Sequence, residues 1–134
     1  MAVSAEAIYE AAPFARTLGV RFDALSASQV RARLPWGKGL STVGGGMHGG
    51  ALMGLADVAA AVCASANGPE GTLPSTIESS SHFLRPVTGD HALAVARPIH
   101  VGGSSVVVEV DLLDEHEVLC VRVTQVVVIR APKR

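Results

Sequence analysis

Apolar and polar residues alternate with period two over two stretches near the N-terminus, Leu18 to Leu25 and Gln29 to Leu34, where Val30, Ala32 and Leu34 interleave with Arg31 and Arg33. That is the pattern of half-buried strands, and the two predict a hairpin. Four more strands are predicted at Ser75 to Leu84, His91 to Val101, Ser105 to Leu113 and Val118 to Ile129. Turn residues separate them at Pro86 to Asp90, Gly102-Gly103 and Asp114 to Glu117, and their valine-rich runs favour strand over helix.

Between the hairpin and these strands the pattern changes. Gly37 to Gly50 holds seven glycines and almost no large apolar side chain, so it reads as a loop with unusual backbone angles or a close approach to something. Gly50 to Asn67 is alanine-rich, with Leu52, Met53, Leu55, Val58 and Val62 spread around the helical wheel, which predicts a helix wrapped by other structure. Asn67-Gly68-Pro69 supplies its cap and its breaker. A shorter helix is expected over Ser4 to Ala12, stopped by Pro13.

A long helix, four consecutive strands and an earlier hairpin define an α+β fold: one antiparallel sheet curled around the helix, preceded by a short N-terminal helix. With 134 residues and 49% hydrophobic content, a single domain over 1–134 is expected. Alternate valines of Val106 to Val110 and Val126 to Ile129 are expected on the sheet's outer face, which a further subunit would bury.

Eleven basic and twelve acidic residues leave a net charge of -1 with no basic stripe, which argues against nucleic acid as a partner. Met1 to Glu10 lacks a basic and an apolar region of the signal-peptide kind, and the apolar run Ala51 to Ala66 is short for a span and carries Asp57, so a cytoplasmic protein without membrane attachment is expected. Cys63 and Cys120 have no paired spacing and read as reduced core residues. The five histidines show no metal-ligand spacing, so neither metal nor cofactor is expected.

Asp57 stands out, because a carboxylate inside an apolar helix is costly to bury unless it is paired or has work to do. The plain alternative is an aspartate bonded to a backbone amide or to Arg85. At the helix entrance, Met47-His48-Gly49-Gly50 offers backbone amides and a helix N-terminus, a ready site for developing negative charge. Asp57 lies eight residues beyond Gly49, about 12 Å along the axis at roughly 1.5 Å per residue. If both groups serve one carbonyl, they come from two subunits.

The string His48-Gly49-Gly50-Ala51-Leu52, then Leu55-Ala56-Asp57, then Phe83-Leu84-Arg85-Pro86 and Gly89, resembles the PaaI-like branch of the hotdog thioesterases, from about Thr42 to the C-terminus. The resemblance implies hydrolysis of an acyl-CoA, possible acyl groups including aryl and phenylacetyl types, with coenzyme A as part of the substrate. It implies Asp57 as nucleophile or general base, the Gly49 amide as carbonyl polariser, His48 as support for the loop, and Thr76 as holder of the attacking water. It also implies a homodimer as the catalytic unit, commonly paired into a homotetramer. Related enzymes often have asparagine where this chain has Thr42, and Gly-Arg or Gly-Lys, able to meet CoA phosphates, where it has Gly102-Gly103. The nucleotide end then falls to Arg85, Arg97 or the amides from Gly102 through Ser104 to Ser105. Gly50, Leu52, Met53 and Phe83 are the expected acyl-pocket residues.

Competing classes are weaker. Gly44 to Gly49 satisfies G-x-G-x-x-G before a helix, but no parallel strand-helix units follow. No G-x-S-x-G elbow exists. Hydratases of the same fold often place a histidine five residues after the aspartate, where this chain has Val62. A non-catalytic acyl-CoA-binding module is the alternative, and it leaves the carboxylate without a task.

Overall fold

The structure, a computed structural model, describes residues 4–131. Helix α1 (Ala5–Ala11) starts at Ser4, whose side chain accepts from the Ala7 amide, and α2 (Pro13–Leu18) follows at once. The expected single N-terminal helix is therefore two. Pro13 ends the first as predicted, but it also occupies the first turn of the second, where its missing amide proton costs nothing. Residues 18–20, expected to begin a strand, instead close α2, with Gly19 at φ 103° as its left-handed cap.

Six strands form one antiparallel sheet: β1 (Arg21–Leu25), β2 (Val30–Pro35), β3 (Leu73–Phe83), β4 (His91–Val101), β5 (Ser105–Leu113) and β6 (Leu119–Arg130). Their spatial order is β1-β2-β4-β5-β6-β3. Helix α3 (Gly49–Ala66) lies across the concave face. The core is its Leu55, Ala56, Ala59, Ala60 and Cys63 packed on Ala92, Ala94 and Ala96 of β4, Val106, Val108, Val110 and Leu112 of β5, and Val121, Val123 and Val127 of β6. The small residues on β4 and α3 let helix and sheet approach closely, and each fully buried valine or leucine contributes on the order of 1.5–3 kcal/mol. This is the hotdog fold.

Helix α3 is long and apolar enough to cross a membrane by length and composition alone, yet half of it is buried within the protein, as a core helix should be. It is not wrapped all round as its composition predicted. Gly54 packs under Phe14 and Leu18 of α2, but a stripe running through Gly50, Met53 and Asp57 is exposed.

The outer face of the sheet carries Val126 and Val128 of β6 as expected, half-buried, but departs from expectation on β5. Val106, Val108 and Val110 point into the core, and the outer phase of β5 reads Val107, Glu109 and Asp111. There Arg97 of β4 and Arg122 of β6 pair with Glu109 and Asp111, so the centre of that face is an ion-pair network.

The two edges of the sheet are unlike. β1 is five residues long and irregular between Phe22 and Ala24, the kind of edge that resists pairing. β3 is eleven residues long and nine of them are exposed, including Ile77 at 60% and Phe83 at 52%.

Candidate active site

Three elements build the site. The glycine loop is a braced turn: the Thr42 amide donates to the Gly46 carbonyl at 2.9 Å, and the Trp36 indole donates to the Gly45 carbonyl at 2.9 Å. The Met47 amide donates to Val87 in the loop after β3 at 3.0 Å, and the His48 amide to Leu40 at 2.7 Å. A Cβ at Gly46 would sit 3.2 Å from the Val87 carbonyl oxygen, so a side chain there would have to push the Val87 backbone back by a few tenths of an ångström.

The loop delivers His48 as the N-cap of α3, with its Nδ1 accepting from the Gly50 amide at 2.8 Å. That bond uses Nδ1 as an acceptor and leaves the ring proton on Nε2. It also consumes the Gly50 amide, so Gly50 is part of the cap and its amide does not point at a ligand. The Gly49 amide, by contrast, makes no hydrogen bond among the described residues, at the positive end of an 18-residue helix. The Phe83 ring covers Gly49, with ring atoms 3.5 and 3.7 Å from where a Cβ would stand.

Asp57 lies two turns further along α3. It is exposed in the chain, not buried as its apolar setting suggested, because its side chain points out over β3 rather than into the core. It bonds neither a backbone amide nor Arg85. Its Oδ1 accepts two hydrogen bonds, from Thr76 Oγ1 at 2.8 Å and from Gln125 Nε2 at 2.9 Å. Gln125 Oε1 in turn accepts from Ser79 Oγ at 2.8 Å. Asp57 Oδ2 has no partner among the described residues.

The structure thus brings Thr76 beside Asp57 and Phe83 and His48 beside Gly49, and it adds Gln125 and Ser79, which the sequence did not single out. A signal for Gln125 existed: Val121, Val123 and Val127 are the core phase of β6, and a glutamine interrupts them at the same period. Met53 is exposed beside the site, whereas Leu52 is buried in the core and does not line it.

The residues assigned to the nucleotide end are not gathered in one chain. The Arg85 amide bonds the Cys120 carbonyl at the start of β6, while Ser104 accepts from Ile129 at its end, nine residues and about 30 Å away. Gly102 and Gly103 form the tight turn between β4 and β5, where the Gly102 amide donates to Ser105 at 2.8 Å. Arg97 is engaged in the outer-face network and does not face the site. Thr42 holds the base of the glycine turn, whose tip, Val43, is 98% exposed.

Other chemistries lack their parts. Burial pushes the Cys63 thiol up to about 11 and raises that of Cys120, so neither is a ready nucleophile. Among the described residues no three of histidine, cysteine, aspartate and glutamate come together as a metal site. A surface depression of about 410 Å³ lies at Tyr9, Arg16, Val20 and Pro35, and Asp57 does not line it.

Fold and site together define a hotdog protein with a carboxylate on its central helix. The chain belongs to the thioesterase superfamily, whose family model matches residues 44–121, more than half of its length. Thioesterase HI1161 from Haemophilus influenzae superposes with a TM-score of 0.89 over 98% of this chain and 93% of that one, at 22% identity. A mutant of thioesterase PA1618 from Pseudomonas aeruginosa superposes at 0.87 over 97% and 96%, at 20% identity. In sequence, a Haemophilus influenzae protein named provisionally as an esterase is 27% identical over 103 residues, 77% of this chain and 75% of its own.

Proposed function

We propose that the protein is a PaaI-like thioesterase that hydrolyses an acyl-CoA to the free acid and CoA, working as a homodimer. The observation that carries this is the pair of unspent groups on α3: the Gly49 amide at its N-terminus and, two turns on, Oδ2 of the exposed Asp57. A carboxylate held by two donors and an unpaired amide at a helix N-terminus are the base and the oxyanion donor of acyl transfer.

Their separation, about 12 Å along the axis, calls for two chains. Edge strand β3 offers the means. A long exposed edge is a template for pairing with another copy, and a twofold pairing there runs the two α3 helices antiparallel. The glycine end of each then meets the Asp57 region of the other. Met53, Ile77 and Phe83, all exposed in the single chain, become the apolar surroundings of the acyl group.

In this dimer the thioester carbonyl oxygen accepts from the Gly49 amide of one subunit. Asp57 of the other either attacks the carbonyl carbon or takes a proton from a water that does so, the water held also by Thr76. The carbon–sulfur bond breaks as the tetrahedral intermediate collapses and the CoA thiolate takes up a proton. Where water attacked, the acid leaves at once; where Asp57 attacked, a water then cleaves the acyl–Asp57 anhydride, releasing the acid and restoring the carboxylate. The experiment is thiol release from phenylacetyl-, benzoyl- and straight-chain acyl-CoAs by the wild type, Asp57→Ala and Asp57→Asn. The proposal expects turnover by the wild type on one acyl class and its loss in both variants. CoA esters bound without turnover by the wild type would refute it in favour of a binding module.

A further inference from the structure

Gln125 is the one polar side chain buried in the core among the described residues, at 1% exposure. Its neighbours in phase on β6, Val123 and Val127, are equally buried and apolar, and a valine would fill this position at no polar cost. The glutamine is there with all its polar atoms partnered, since no buried side-chain nitrogen or oxygen among the described residues lacks a hydrogen bond.

The partners fix the direction of every bond. An ionised Asp57 carboxylate only accepts, so the Gln125 group facing its Oδ1 at 2.9 Å is the amide nitrogen. The amide oxygen then faces Ser79, directly opposite on β3, whose hydroxyl must donate to it, at 2.8 Å. Thr76, three residues nearer the start of β3, donates to the same Oδ1. Two donors converge on one oxygen and none on the other. The carboxylate plane is thereby set, and Oδ2 is presented outward with its lone pairs free.

From this chain of bonds we infer that Gln125, locked by Ser79, is a positioning residue: it selects Oδ2 of Asp57 as the reacting oxygen. The inference rests on the thioesterase reading of Asp57. It assigns to a core residue on the far strand a part in turnover that packing alone does not require, because a methionine has nearly the same shape and volume and no donor.

The test measures kcat and KM for hydrolysis of the best acyl-CoA by Gln125→Met, Ser79→Ala and the double variant, each shown by light scattering and circular dichroism to keep the wild-type assembly and fold. Gln125→Met is expected to lower kcat about 10- to 100-fold with KM unchanged, the worth of one hydrogen bond to a charged group. Ser79→Ala is expected to lower kcat less, and to have no effect once Gln125 is methionine, because its hydroxyl acts only through the amide. Should Gln125→Met fail to fold, Ser79→Ala, on the exposed strand, decides alone: kcat within twofold of wild type overturns the inference. A kcat within twofold in folded Gln125→Met, or additive losses in the double variant, overturns it as well. Asp57→Ala, assayed alongside, separates the two levels: if it keeps turnover, the thioesterase reading of Asp57 has failed, and with it this role.

Discussion

Thr76 Oγ1 donates to Asp57 Oδ1 at 2.8 Å, joining the edge strand of the sheet to the middle of the central helix. Because both side chains are exposed in the chain, the bond adds little to stability, and its loss should be read in turnover. Thr76→Ala is expected to reduce kcat about tenfold while Thr76→Ser retains it, measured by steady-state thiol release. Equal losses in both would show that the threonine methyl, not the hydroxyl, matters.

His48 is the N-cap of the central helix. Its Nδ1 caps the Gly50 amide, and removal of an N-cap acceptor costs about 1 kcal/mol. His48→Ala is expected to lower the melting temperature by about 3–5 °C, and His48→Asn, which restores a cap acceptor, to recover most of it. Differential scanning calorimetry checks both.

Asp114 sets a pH dependence of stability. The backbone amide of Val118, and then that of His116, donate to its side chain and hold its carboxyl below the ordinary 3.8. A carboxyl whose folded value is depressed contributes stability that is fully present above its unfolded value and is lost as pH falls through the folded one. Urea unfolding of wild type and Asp114→Ala should therefore differ at neutral pH and converge in strong acid, below the depressed value. A constant difference across that range would mean that the turn is held by something other than the carboxylate.

Ile77 lies at the irregularity in the exposed edge β3 and is 60% exposed. A lysine there places charge on the edge that pairs in the proposed dimer, a device that blocks strand pairing. Ile77→Lys is expected to elute as a monomer with wild-type circular dichroism and no turnover. A dimer that persists with full activity would place the interface elsewhere.

Much of this architecture is legible in the chain. The runs His91–Val101 and Ser105–Leu113 form strands with the predicted ends, because both are bounded by glycine, aspartate or serine turns. Asp57 and Gly49 stand out from their setting on the apolar helix and at its entrance, whereas Thr76 and Phe83 come only from the family resemblance. What misled was context. The all-apolar wheel of α3 implied full burial, yet one stripe stays open along Met53 and Asp57. Composition cannot tell a helix covered by its own chain from one left for a second copy. The outer face looked apolar because Val106, Val108 and Val110 were counted without their phase, which the register with β4 and β6 assigns to the core. Gln125 went unread because its role depends on Ser79 and Asp57, 46 and 68 residues away.

In the proposed dimer one active site takes Asp57 from one subunit and the Gly49 amide from the other, and Gly49 permits a clean test. It is the first residue of α3, where proline is well tolerated, and His48 before it has φ -62° and ψ 138°, which proline accepts. Gly49→Pro therefore removes the amide proton with little else, and it should be as inactive as Asp57→Ala. Unfolding the two variants together and refolding them yields mixed dimers with one intact site each, and recovery of about a quarter of wild-type turnover is expected by statistical pairing. Turnover no higher than that of the separate variants, in a preparation shown to contain mixed dimers, would contradict it.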